Sequence, residues 1–291
     1  MADLLQFPEF GIRPSYLPSW PDCPRRTAAR LWRDVIETAG YELRDTGASV
    51  GAHVGTGVHE GANYTLSTKL ESGGLGAESE ATDRAVHAFE TRLEEDGVTW
   101  DQATPNKSTG QKQVERMTKT YRYALAPQVQ PVLVEQRLEA DLGDGWYISG
   151  QADLLAMETP YGQPEHLRLR DLKTGTSQRA NGLQYMAYAM LLRAHDYAVK
   201  EAVEDFLKRV PLKQPQPDPE THALPAGPLE QEAMEVVDDM KRSLGEFIRR
   251  VSDGDKPPEG AFRGNPQSVL CNPKYCSAHG TSFCRLHRGA E

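Results

Sequence analysis

The chain has 291 residues, with 33 basic and 42 acidic side chains and a net charge of -9 at neutral pH. Apolar residues make up 38% and charged residues 26%, which excludes the disordered class, and the acidic balance argues against a surface that is basic all over. No run of about 18 apolar residues is present, and residues 1–6 lack the basic start and apolar core of a secretory signal, so we expect a cytoplasmic protein that does not enter a membrane. An acidic body can still carry a local basic groove, and nucleic acid therefore remains a candidate partner.

The first part of the chain is predicted to be mainly helical. Residues 1–22 are rich in proline and aromatic side chains, which is typical of an extended arm. Apolar residues at helical spacing follow over residues 25–39. Further helices are predicted over residues 53–70, 81–95 and 111–126.

The middle of the chain changes to strand periodicity. Alternation over residues 131–140, a Gly-Asp-Gly turn at 143–145 and the segment 146–157 indicate a hairpin. The elements predicted after it are a strand over 166–173, a helix over 180–194, a strand over 202–210, a proline-rich loop over 211–227, a long helix over 228–251 and an irregular tail from 254. This order predicts an α/β fold with a central mixed β-sheet flanked by helices, in one domain over residues 1–291.

A carboxylate and a lysine lie together at the end of the third predicted strand. Side chains two apart on a strand share a face, so Asp171 and Lys173 project together. Asp153, on the preceding strand, converges on Asp171 if the two strands pair, and two carboxylates suit Mg²⁺ or Mn²⁺. Such a metal activates water, and Lys173 would orient that water, help to deprotonate it or stabilise developing charge. Taken alone, an Asp-x-Lys segment is more typical of a surface ion pair.

The order of several short segments resembles a known family. Gly150-Gln-Ala-Asp153, Asp171-Leu172-Lys173 and Gln184-Tyr-Met-Ala-Tyr188, downstream of a helix with His59, resemble the PD-(D/E)xK nuclease superfamily in its RecB-like branch. That branch includes the nuclease domains of RecB and AddB and the Cas4 exonucleases. The resemblance spans about residues 20–287 and implies a restriction-endonuclease-like core.

The resemblance also implies roles for these residues. His59, Asp153, Asp171 and the backbone carbonyl of Leu172 would bind the metal, and Lys173 would be the catalytic lysine. Asp171 stands where many relatives have glutamate. Gln184 and Tyr188, one helical turn apart, would lie at the catalytic site and hold the DNA strand. Glu135 is a candidate for an outer carboxylate.

Simpler interpretations of three of these side chains stay open. His59 is also typical of a helix start or a core histidine. Gln184 suits a solvated helix face, and Tyr188 suits plain core packing.

The cysteines form a second pattern, with Cys23 near the start and Cys271, Cys276 and Cys284 near the end. In a reducing cytosol this layout favours a metal or iron–sulfur site over disulfides. It resembles the iron–sulfur staple of AddB and Cas4, which implies a [4Fe-4S] cluster in a lobe formed by residues 20–40 and 265–288. The gap between the first two tail cysteines is longer than in most relatives, so zinc remains an alternative. His279 or His287 could then replace a thiolate.

The predicted function is that of a metal-dependent DNA exonuclease acting on DNA ends or single strands, in repair, recombination, or CRISPR or phage DNA processing. Arg25 and Arg26 are expected to contribute a basic patch for DNA. No Walker A motif is present, so a helicase or recombination partner would have to supply any unwinding. The alternatives are a sequence-specific endonuclease of the same superfamily, a non-catalytic DNA-binding subunit that retains the fold, and a metal-sensing or redox regulator.

Overall fold

A computed structural model describes residues 9–159, 164–178, 181–225, 228–255 and 257–286. Within these ranges the strands form one six-stranded sheet. The strands are β1 (Phe10–Ile12), β2 (Gln130–Gly143), β3 (Trp146–Glu158), β4 (His166–Gly175), β5 (Val199–Lys208) and β6 (Glu220–Pro225). The α-helices are α1 (Pro24–Leu31), α2 (Arg33–Thr38), α3 (Val50–Ser72), α4 (Glu78–Asp96), α5 (Lys107–Ala124), α6 (Gly182–Ala194) and α7 (Pro228–Asp253). In the part of the chain so described, no helix is long and apolar enough to span a bilayer.

The sheet is mixed, which confirms the predicted α/β class. β2 and β3 form an antiparallel hairpin, and β4 pairs antiparallel with β3. β5 runs parallel to β4, with α6 as the crossover between them, and β6 is antiparallel to β5. Helices cover both faces, since one buried cluster includes residues of α3, α4 and α5 and another includes residues of α6, α7 and both ends of the chain.

One edge of β3 is divided between two partners. β2 pairs with β3 along nearly its whole length, so the remaining partners share the opposite edge. There β1 pairs with residues 146–148 and β4 pairs with residues 154–158. Residues 149–153 lie between these two ladders, and we call this interruption the β3 gap.

The structure differs from the sequence prediction in three elements. The supposed extended arm contains β1 and a 3-10 helix, Pro14–Ser19. The helix predicted over 25–39 is broken at Trp32, whose indole N–H donates to the carbonyl of Gly11 and so ties the chain to β1. The supposed loop over 211–227 contains β6, an edge strand, which is where a strand ending in proline is tolerated.

Candidate functional site

Asp153 lies in the β3 gap, where β3 and β4 separate. The last pair of their ladder is Leu154 with Arg170, and beyond it the Oδ2 of Asp153 accepts a hydrogen bond from the backbone N–H of Leu172 at 2.9 Å. The N–H and C=O of one strand residue point to the same side, so the carbonyl of Leu172 faces this gap as well. A carboxylate and a backbone carbonyl oxygen thereby point into one opening.

Helix α3 delivers His59 to the same place. A Cβ added at Gly55 would lie 2.8 Å from Oγ1 of Thr174, so glycine allows the helix to approach β4 closely. His59 follows one turn later on the same face. Its Nδ1 lies 3.4 Å from Oδ2 of Asp153 and 3.8 Å from Oε1 of Glu135.

Glu135 completes a compact group of ligand atoms. One such atom each from His59, Glu135 and Asp153 lies within 4.8 Å of the others. Glu135 sits on β2 between the pairs Val134–Leu154 and Gln136–Ala152, so it faces Asp153 across the hairpin. Its φ of 48° is left-handed, which is uncommon outside glycine, and Gln151 donates to its Oε2 at 2.7 Å. One nitrogen and two carboxylates suit a divalent cation.

Asp171 and Lys173 form the second half of the site. Asp171 is 2% exposed, and its Oδ2 lies 2.6 Å from the Nζ of Lys173. The ammonium lies 5.8 Å from the ring centroid of Tyr185, whose hydroxyl donates to the buried Glu204. Asp171 thus stands beside the compact group without belonging to it, whereas Glu135, expected only as an outer carboxylate, belongs to it.

The charges of the site shift one another's pKa values. Burial alone would lower the pKa of His59, but Asp153 and Glu135 raise it to about 9. Burial raises the pKa of Asp153 and of Asp171, and the charge of Asp153 raises that of Asp171 further. Burial disfavours the Lys173 ammonium, yet Asp171 and Asp153 hold its pKa above the ordinary value. The site therefore concentrates negative charge that a cation would neutralise.

Gln184 and Tyr188 lie against the site from α6. Each is 7% exposed, and their side chains hydrogen-bond to each other. A Cβ added at Gly150 would lie 2.6 Å from Cε1 of Tyr188 and 3.0 Å from Pro14. The tyrosine ring fills the space beside Gly150, so this glycine permits close packing of α6 on the β3 gap.

The four cysteines line one enclosed cavity, together with His279. Burial raises the pKa of Cys276 to about 11. Burial also raises the pKa of Cys284, although the nearby charge of Arg25 acts to lower it. Four sulfurs around tetrahedral zinc lie about 3.8 Å apart, given a 2.3 Å bond. Among the described residues no three cysteine sulfurs lie within 4.8 Å of one another. Four thiols in one cavity suit a thiolate-bound metal or cluster. His287 lies outside the described residues.

Arg25 and Arg26 were expected at a DNA-binding surface, but they lie inside the protein. They are 8% and 4% exposed, and their guanidinium groups are used inside the protein. Arg25 donates to the carbonyls of Phe262 and Glu259, and Arg26 donates to Ser268 and pairs with Asp22. These two guanidinium groups therefore hold α1 to the tail of the chain.

The chain is similar to one protein family and to several solved structures. No curated protein matches the chain. A crystal structure named "Putative exonuclease", from Eubacterium rectale, is 13% identical, with a TM-score of 0.49 over 93% of this chain and 90% of that one. A structure named SSO0001 is 10% identical, with a TM-score of 0.28 over 72% of this chain and 82% of that one. The chain has the expected mixed sheet and a carboxylate–lysine site at the divided edge of β3. Its residues 15–284 match the PD-(D/E)XK nuclease superfamily, and the chain belongs to that superfamily.

Proposed function

We propose that the protein is a divalent-metal-dependent deoxyribonuclease that removes nucleotides from DNA ends or single strands. The observation that carries the proposal is the compact group of His59, Glu135 and Asp153 beside the Asp171–Lys173 pair. Membership of a nuclease superfamily supports hydrolysis of phosphodiester bonds. A bound Mg²⁺ or Mn²⁺ would supply an activated water and neutralise charge on the phosphate.

The charges of the site residues assign them to different steps of the proposed reaction. His59, Asp153 and Asp171, the carbonyl of Leu172 and the added carboxylate of Glu135 would hold the metal. Lys173 keeps its proton near neutral pH because two carboxylates raise its pKa, so we assign it to charge stabilisation and to orienting the water, rather than to proton abstraction. Gln184 and Tyr188 would border the DNA strand.

We also propose that the cysteine cavity binds a structural [4Fe-4S] cluster. Its four thiols come from both ends of the chain and line one cavity, a donor set that suits a thiolate-bound cluster. We propose that residues 20–40 and 265–288 form a cluster lobe within a single nuclease domain.

The function is tested by cleavage of labelled DNA. With Mn²⁺ we expect digestion of 5′- and 3′-end-labelled single strands or linear duplexes, no digestion in EDTA, and a closed circle left intact. Asp171→Asn and Lys173→Ala should each lower the rate at least about 100-fold, because each removes charge from the reacting centre. Glu139→Gln, an exposed carboxylate on β2, is the matched control and should retain the wild-type rate.

Two outcomes would contradict the proposal. Full activity in either site variant would show that the reaction occurs elsewhere. Cutting of the closed circle at defined positions would instead identify a sequence-specific endonuclease.

A further inference from the structure

A groove of about 1150 Å³ runs between the N-terminal end of α3 and the cysteine-bearing tail. Its lining includes Arg13, Tyr16 and Arg30 from the start of the chain and Lys274 and Tyr275 from the tail. It also includes residues 45–49, Ala52, Asp96 and Thr99. None of these side chains belongs to the catalytic or cysteine site described above.

The charge of the groove is opposite to that of the whole chain. Four cationic side chains line it, Arg13, Arg26, Arg30 and Lys274, against the carboxylates of Asp45 and Asp96. Arg26 is paired with Asp22, and Asp45 lies 3.2 Å from Arg33, but Arg13, Arg30 and Lys274 are exposed. A cationic groove on a body of charge -9 favours a polyanion.

Tyr275 presents an aromatic surface in this groove. It is 42% exposed, and the ammonium of Lys274 lies 5.2 Å from its ring centroid. Asn272 fixes the loop through three hydrogen bonds. Its backbone carbonyl accepts hydrogen bonds from the backbone N–H groups of Tyr275 and Cys276, and its side-chain oxygen accepts one from the backbone N–H of Lys274. The loop between two of the cysteines therefore holds an aromatic ring and a cation at the surface.

Helix α3 connects the groove to the metal site. Ala52 lines the groove, and His59 follows seven residues later, which is nearly two full turns, so both lie on one face about 10 Å apart. Pro14, which follows the groove residue Arg13, packs at Gly150, three residues before Asp153. A strand that lies in the groove and continues along α3 would reach the metal site.

We propose that this groove binds single-stranded DNA, with Tyr275 stacking on an unpaired base and Arg30 and Lys274 contacting phosphates. The inference rests on the proposed function, since it names the strand type that reaches the site. A paired and stacked base does not offer its face to an aromatic ring, so Tyr275 favours a single strand over a duplex. The cysteine tail thereby contributes directly to holding the substrate.

Binding of a fluorescein-labelled twenty-nucleotide oligo-dT to the full chain, in EDTA so that no cleavage occurs, tests the stacking contact. We expect Tyr275→Ala to weaken binding roughly tenfold, and Tyr275→Phe to bind as the wild type does. Tyr123→Ala, which removes a tyrosine that is 66% exposed on α5, is the matched control and should leave binding unchanged. Binding of a blunt duplex of the same length should not respond to Tyr275→Ala.

The phosphate contacts are tested by salt. Arg30→Ala and Lys274→Ala should each lower the slope of log K against log salt by about 0.7, whereas Arg92→Ala, an exposed arginine on α4, should not. Unchanged oligo-dT binding by Tyr275→Ala would overturn the proposal, as would an equal loss with the blunt duplex. Because these measurements need no catalysis, they can fail while Mn²⁺-dependent cleavage persists, and they can succeed if cleavage is absent.

Discussion

Glu135 holds a conformation that a strand residue normally avoids. A left-handed φ of 48° on a residue with a Cβ costs about 1–3 kcal/mol, and here it accompanies a carboxylate placed 3.8 Å from His59. We expect Glu135→Gln to weaken Mn²⁺ affinity about 10- to 100-fold, the range seen when a supporting ligand is lost. Calorimetric titration measures this, with Glu139→Gln as control; equal affinity in both variants would exclude Glu135 from the metal site.

The proton on His59 gives a pH dependence with a definite sign. Its pKa is raised to about 9 without metal, so at pH 7.5 the ring is protonated and must lose that proton to become a ligand. Metal affinity should therefore rise with pH up to about 9. Titration at pH 7.5 in two buffers of different ionisation enthalpy should show release of about one proton per metal, and His59→Gln should remove that release. An identical apparent enthalpy in both buffers would show that His59 stays out of the coordination.

At the scale of elements, α3 is positioned by glycines on its buried faces. A Cβ at Gly57 would lie 2.6 Å from the backbone carbonyl oxygen of Ala85 in α4, which no rotamer change relieves. Gly57→Ala should therefore destabilise the protein by about 1–2 kcal/mol, although alanine is the better helix former. Gly245→Ala on α7 meets nothing within 4 Å and should stabilise it by about 0.5–1 kcal/mol. Urea unfolding of the two variants measures both changes in the free energy of unfolding. Higher stability in both variants would mean that α3 and α4 have room to separate.

At the scale of the molecule, the two chain ends are joined by aromatic packing, and the proposed cluster would join them a second time. Trp20, Trp32, Phe247, Phe262 and Phe283 pack as a group of aromatic rings that joins the N-terminal segment to α7 and the tail. The cysteine cavity adds Cys23 to the tail thiols. Closing a loop of roughly 250 residues is worth on the order of 5 kcal/mol by chain entropy, as an upper bound.

Removing one cysteine separates these contributions. Cys23→Ala should lose the visible absorbance of an iron–sulfur protein and melt at a lower temperature, while the aromatic group keeps the sheet folded. Cys23→Ala protein that stays brown and melts as the wild type does would show that Cys23 is not a ligand.

The parts of the site that sequence could predict are those whose signal is local. Asp171 and Lys173 are two positions apart on one strand, and His59 lies in a segment with a helical sequence pattern. The sequence alone therefore assigns the strand and the helix that carry them. The position of Glu135 depends on a left-handed residue within a strand, for which periodicity offers no signal. β1 is three residues long and pairs with Trp146–Ile148, far along the chain, so no local pattern could reveal it. Gly150 could be noticed, but the ring that fills its space comes from α6.

Because the edge of β3 is divided between two partners, β1 protects part of that edge from pairing with another protein molecule. Phe10–Ile12 cover the backbone of residues 146–148, next to the gap that holds Asp153. Deleting residues 1–12 would leave unpaired N–H and C=O groups along an otherwise buried strand, a template onto which another polypeptide adds. A shortened protein should therefore elute as oligomers in size-exclusion chromatography, with its catalytic opening blocked by a neighbour's strand.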